Sequence, residues 1–136
     1  MGAARAAERR AWILAIAYVV LIFAVSSIPG SVLRVPVFRL SDKLAHAAEY
    51  TGLGLLLTAA YRRMLAPDRL RWLAPCVIAT GFAIGAADEL YQNTVPGRAV
   101  EFLDWVGDAV GVLLGFWLSN IFNRRKASRI GSTEAA

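Results

Sequence analysis

Apolar residues in this chain come in long runs rather than in the alternation of a half-buried strand. Four stretches approach the roughly 20 apolar residues that a helix needs to cross a bilayer. Residues 11–28 carry no charge at all. Residues 44–61 are uncharged except for His46 and Glu49, and residues 72–91 stay uncharged until Asp88 and Glu89. Residues 103–122 carry Asp104 and Asp108. The breaks fall where helices stop. Pro29-Gly30 cannot continue the first helix. Ser41 is a predicted N-cap for the second, with Asp42 in the favourable first turn. Pro96-Gly97 predicts a tight turn between the third and fourth. The pattern therefore predicts an all-α membrane protein, a four-transmembrane-helix bundle over residues 1–122. Residues 123–136, basic and then small and polar, are predicted to form a disordered tail.

Composition agrees with this pattern. Of the 136 residues, 57% are hydrophobic and only 18% charged, with mean hydropathy +0.50. Soluble domains average about 45–50% apolar and about 25% charged. A soluble core of one small domain could not hide this apolar content. The single cysteine, Cys76, excludes an internal disulfide and a cysteine-based zinc cluster, and reads as a small core residue. The first stretch also has the basic, apolar and small-residue sections of a secretory signal, but its apolar run is long for that role.

The net charge of +5 takes its meaning from position. In a soluble protein a pI near 10 points towards nucleic acid. Here eleven cations (Arg5, Arg9, Arg10, Arg62, Arg63, Arg69, Arg71, Arg124, Arg125, Lys126 and Arg129) fall on one side of the predicted spans. Four, Arg34, Arg39, Lys43 and Arg98, fall on the other. The positive-inside rule then predicts a multi-pass protein of the cytoplasmic membrane with both termini in the cytoplasm. Anionic lipid headgroups, not nucleic acid, are the expected partners of the basic side.

With that orientation the acids segregate. Asp42, Glu49, Asp88, Glu89, Glu101, Asp104 and Asp108, seven of the ten, fall on the outer loops or outer halves of spans, together with His46. An ionisable group within a span costs about 2.5–3.5 kcal/mol on insertion scales and persists where it faces protein or a wet cavity. Several at one depth on three helices predict a polar vestibule on the extracytoplasmic side. Helical spacing puts His46 and Tyr50 on one face, Asp88 and Gln92 on another continuing through Gly85 and Gly81, and Asp104, Asp108, Gly111 and Gly115 on a third. Small residues at this spacing let helices approach closely in lipid.

Each residue type has its chemistry. His46, Glu49, Asp88 and Glu89 are the candidate catalytic groups, as acids, bases or proton carriers. His46, Asp88 and Glu89 are the candidate ligands of a divalent cation, should one be the cofactor. Lys43 and Arg98 suit phosphate or carboxylate. Tyr50, Gln92, Asp104 and Asp108 suit sugar hydroxyls or amines. Plainer readings stand beside these. His46 can bond a neighbour, Arg98 can neutralise Glu49, and Asp104 can cap its helix. The glycines can serve packing alone, and tryptophans 12, 72, 105 and 117 can anchor the bundle at the lipid interface. Two acids near the C-terminus of the third helix oppose its dipole, which favours a cation or ligand there. No Gly-x-Ser-x-Gly, His-Glu-x-x-His or P-loop motif is present.

Taken in order, Asp42-Lys43-Leu44-Ala45-His46-Ala47-Ala48-Glu49-Tyr50, Asp88-Glu89-Leu90-Tyr91-Gln92, Val95-Pro96-Gly97-Arg98, and Asp104 followed by Gly111 and Gly115 resemble the VanZ-like membrane protein family. Ser26-Ser27-Ile28-Pro29-Gly30 is similar to the end of that family's first span. The resemblance covers about residues 12–120. Asp108 departs from it, since many members are expected to carry Asn there. The family's founding member is an accessory factor for resistance to the glycopeptide teicoplanin. The resemblance therefore implies the bacterial cell envelope and antibiotic susceptibility, but no reaction. Three functions follow as expectations. The first is an outer-leaflet protein that binds or modifies a lipid-linked cell-wall intermediate or a lipoglycopeptide. The second is an integral-membrane hydrolase or transferase using metal or acid–base chemistry. The third is a non-catalytic scaffold held by an internal charge network. Transport is disfavoured by the small number of spans.

Overall fold

The computed structural model describes the backbone of residues 2–30, 39–99 and 101–134, and side chains within 2–30, 43–99 and 101–125. Four helices, α1 (Gly2–Ser26), α2 (Arg39–Met64), α3 (Leu73–Gln92) and α4 (Phe102–Glu134), make up the fold, with a short 3-10 segment, Pro67–Trp72, leading into α3. No strand occurs among the described residues. α1 begins before its apolar run because Ala3, Ala4, Arg5, Ala6 and Ala7 all favour helix. It ends three residues before Pro29, consistent with the helix-opposing geometry that proline imposes. α2 begins at Arg39, so Ser41 lies inside its first turn and does not cap it. The Asp42 side chain is outside the described residues. The basic stretch from Asn123, predicted to be disordered, instead continues α4 as helix to Glu134. Arg, Lys and Ala there are strong helix formers, and no proline intervenes.

Consecutive helices run antiparallel around α2, which packs against all three others and most extensively against α4. This position corrects the expectation of four equivalent spans. Among the described residues, three helical stretches, Gly2–Ser26, Pro67–Gln92 and Phe102–Arg125, are long and apolar enough to cross a membrane, and α2 is not among them. Its lower apolarity has a physical reason. A helix enclosed by three neighbours meets protein on most sides, so His46, Tyr50 and Thr58 are buried against side chains and not against lipid. The outer helices show the converse. Ile13, Leu14, Ile16, Val20 and Leu21 of α1, and Val110, Leu113, Leu114 and Trp117 of α4, are exposed. An apolar surface this extensive would be an aggregation hazard in water and fits a lipid environment.

The centre of the bundle is packed by Ile22, Leu53, Leu57, Val77 and Val112. α2 and α4 cross with their backbones in near contact. A Cβ on Gly111 would lie 2.9 Å from both Thr51 N and Tyr50 Cβ, and one on Gly115 would lie 2.8 Å from Leu55 N. Trp12 and Trp105, read as lipid anchors, turn inward instead. Trp12 packs edge-on against Tyr61 at 5.0 Å, and Trp105 donates its indole N–H to the Phe82 carbonyl at 3.2 Å. Trp72 and Trp117 are exposed as expected. Cys76 is half-buried and free.

The bonds at the two ends differ in kind. At one end Tyr61 meets Thr80 at 2.8 Å, and Arg62 donates to the Asn120 side-chain carbonyl at 2.6 Å. The other end gathers the acids. There the Val95-Pro96-Gly97-Arg98 turn closes with an Arg98 N–H to Val95 carbonyl bond of 3.1 Å. Gly97 takes φ 78°, the left-handed conformation that a turn with Pro before Gly requires. The Gly30 N–H donates to the Pro96 carbonyl at 3.2 Å, which ties the end of α1 to this turn.

Candidate functional site

The acid-rich end is built from the C-terminal turns of α1 and α3 and the N-terminal turns of α2 and α4. Antiparallel order brings these four helix ends to one level. The buried face of α3 runs through Val77, Gly81, Gly85, Asp88 and Gln92, as the spacing predicts, and Glu89 is also buried. Gly85 makes room for its neighbour, since a Cβ there would come within 3.2 Å of the Asp108 Oδ2 atom.

The polar residues resolve into three groups. In the first, His46 Nδ1 and Asp108 Oδ1 lie 2.9 Å apart, both side chains buried. Glu89 approaches from α3, and one donor atom each of His46, Glu89 and Asp108 fall within 4.8 Å of one another. Glu89 Oε2 accepts the Glu101 N–H at 3.2 Å. Its Oε1 atom and Asp108 Oδ2 are buried with no hydrogen-bond partner among the described residues. The second group holds Asp88, whose Oδ2 atom accepts the Ser26 hydroxyl at 2.9 Å and the Gln92 amide at 3.0 Å. Asp88 Oδ1 is unpartnered among the described residues. In the third, Lys43 donates to Glu101 at 2.6 Å and also to Asp104. Burial opposes the Lys43 ammonium, but its bonds to Asp104 and Glu101 prevail and hold its pKa above the ordinary lysine value. It is therefore charged at neutral pH.

Of the expected cation ligands, His46 and Glu89 come together, while Asp88 is turned towards Ser26 and Gln92. Asp108, read from sequence as a binding residue, completes the set instead. The cause is helical phase. Asp88 and Glu89 are adjacent, so their side chains leave α3 about 100° apart, one towards α1 and the other towards α4. Tyr50 is fully buried below the acids, its hydroxyl unpartnered among the described residues. Glu49 is half-buried, and its backbone carbonyl accepts the Tyr18 hydroxyl at 3.0 Å. Arg98 attracts Glu49 without forming an ion pair with it. Its Nε donates to the Ile28 carbonyl at 3.3 Å, and among the described residues it forms no ion pair. Asp104, in the first turn of α4, is held by Lys43.

Ser26 was missed as a site residue. The available signal was a polar residue closing an uncharged span at the level of the acids. Also unforeseen is an open groove of about 470 Å³ beside α2 and α4. Lys43 and Glu101 form its polar rim, and Leu103, Val106 and Val110 with Ala47 and Gly107 form its apolar wall. Gly107 connects groove and acids, since a Cβ there would lie 3.5 Å from His46 Cβ.

No curated protein and no solved structure matches this chain. A protein-family model, described as VanZ/LLP1, matches residues 9–123, which include every polar residue of the three groups. On that match, and on the apolar helices that suit a bilayer, the chain belongs to the VanZ/LLP1 family.

Proposed function

We propose that this protein acts at the extracytoplasmic face of the bacterial cytoplasmic membrane, where it binds or modifies a lipid-linked or glycopeptide-type envelope molecule. In this reading α2 also crosses the bilayer, both termini are cytoplasmic, and the acid-rich end forms the outer site. The distribution of cations along the chain supports this orientation. A reporter fused near Pro96 is expected to report an extracytoplasmic location, and a cytoplasmic signal there would refute the orientation.

One observation carries the choice of ligand. The groove pairs an ionic rim, Lys43 and Glu101, with an apolar wall that descends along α4, and it adjoins the His46 group through Gly107. This is the outline of an amphiphile, with a polar head beside buried acids and a chain along lipid-facing side chains. Arg98, which forms no ion pair among the described residues, suits an anionic head group. Native mass spectrometry with a polyprenyl-phosphate-linked sugar and with a teicoplanin-type lipoglycopeptide tests the reading. Wild type is expected to bind one of them, with about tenfold loss in Arg98→Ala, the scale of about 1.4 kcal/mol. Equal binding by wild type and by Arg98→Ala and Glu89→Gln would refute it. Tyr50→Phe removes a buried hydroxyl that has no partner, so its Tm is expected to equal or exceed that of wild type, while ligand binding falls.

A second reading, a hydrolase or transferase, draws on the bond between His46 Nδ1 and Asp108. A carboxylate at one imidazole nitrogen orients the ring and makes the other nitrogen a better base or ligand. Glu89, Glu49 and Asp88 would then serve as acid, base or supporting groups. Loss of envelope-linked substrate in a turnover assay, absent in His46→Ala, would favour this reading over binding alone.

A further inference from the structure

We infer that His46, Glu89 and Asp108 bind one divalent cation of the zinc or manganese type. The first observation is geometric. One donor atom from each lies within 4.8 Å of the other two, from three different helices. Ligands about 2.0–2.2 Å from a common ion fall within that span of one another. An imidazole with two carboxylates is a mixed nitrogen–oxygen set that such ions accept, with positions left for water or ligand.

The second observation is independent of the spacing. Asp108 Oδ2 and Glu89 Oε1 are buried and accept no hydrogen bond among the described residues. Asp108 is 1% exposed and Glu89 is 4% exposed. A buried carboxylate oxygen without a donor carries its full desolvation cost. No described Lys or Arg bonds either oxygen. Lys43 is committed to Asp104 and Glu101, and Arg98 Nε to the Ile28 carbonyl. Glu89 stands in the last turn of α3, where the helix dipole is negative and disfavours an acid. His46 supplies one Nδ1 bond to the pair of acids and leaves both orphan oxygens unsatisfied. A divalent cation with neutral imidazole balances two carboxylates. Asp88, whose Oδ1 atom is likewise unpartnered among the described residues, is drawn towards Ser26 and Gln92 and stands outside the set.

The inference rests on the proposed outer site for its access from outside, and its test separates the two. Full-length protein in detergent is stripped with chelator, then titrated with Zn²⁺ and with Mn²⁺. Bound metal is read by elemental analysis and folding by Tm. Wild type is expected to take up one equivalent of at least one ion, with a raised Tm. Glu89→Gln and Asp108→Asn, which keep side-chain size, are expected to lose at least tenfold in metal affinity, whereas Asp68→Asn, at an exposed acid of the 3-10 segment, retains the wild-type value. Wild type binding neither ion beyond the level of a Glu89→Gln/Asp108→Asn double variant would overturn the inference. So would equal loss in Asp68→Asn. The wild-type titration decides the matter even if a variant fails to fold. Amphiphile binding is measured by native mass spectrometry on the same stripped and loaded samples. Metal uptake without amphiphile binding refutes the proposed function alone, and amphiphile binding without metal uptake refutes this inference alone.

Discussion

Replacing Gly111 by leucine is expected to unfold the bundle, or to prevent its accumulation in the membrane. The side chain would have to occupy space held by the Ala47 carbonyl, Tyr50 Cβ and Thr51 N, the last two 2.9 Å from the position of a Cβ. Two of these three atoms are backbone and cannot swing aside, so α2 and α4 must separate. That contact is the most extensive between helices in the fold. Overpacking in cores costs about 1–3 kcal/mol where side chains can adjust, and a backbone clash lies at or beyond the top of that range. Separation would also move Lys43, His46 and Tyr50 away from Asp104 and Asp108, so site and stability should fail together. Tm in detergent and the yield of folded protein check this. Gly2→Ala is the matched control, because a Cβ at Gly2 meets nothing within 4 Å. A Gly111→Leu protein with the Tm of wild type would contradict the close crossing.

The second large effect is expected at His46. His46→Leu removes the partner of Asp108 Oδ1 and leaves a carboxylate, 1% exposed, with neither oxygen hydrogen-bonded. Breaking a buried pair in this way costs about 3–5 kcal/mol. The reverse single change, Asp108→Leu, is expected to cost less, because an imidazole left alone can remain neutral. The double change His46→Leu/Asp108→Leu is expected to recover most of the stability, since matched apolar replacements of a buried pair are often neutral. Ligand and metal binding should be lost in all three variants. Chemical or thermal unfolding in detergent, beside the binding assays, separates these outcomes. If the double variant is as unstable as His46→Leu, the pair is not the source of the cost.

Helix existence was legible because uncharged runs near membrane length have few folded alternatives, and because Pro29, Gly97 and the charges of residues 62–71 break them visibly. Helix ends were less legible. Residues 2–10 and 123–134 lack apolar periodicity yet are helical, since Ala, Arg and Lys favour helix without any partner face. Helix α2 reads in sequence as one span among four. Its polar content is the signature of a central position, which depends on where three other helices lie. The depth of the acids was readable from the chain, because each could be counted from a helix break. Their pairing was not. Phase along α3 separates Asp88 from Glu89, and only packing shows that one faces Ser26 and the other faces His46 and Asp108.

The sequence by itself determined that the chain is helical and apolar enough for a membrane, that most of its cations and most of its acids occupy opposite ends of the helices, and that it resembles the VanZ-like family. These properties are local: composition, run length and spacing each depend on residues close together in the chain. Tertiary structure alone decided which helix is enclosed, that Trp12 and Trp105 turn inward, that Arg98 meets a carbonyl and not an acid, and that Asp108 joins His46 and Glu89. Such outcomes depend on rotation about each helix axis. In a membrane bundle that rotation follows from close contacts such as Gly111 on Ala47 and Thr51, between residues more than 50 positions apart.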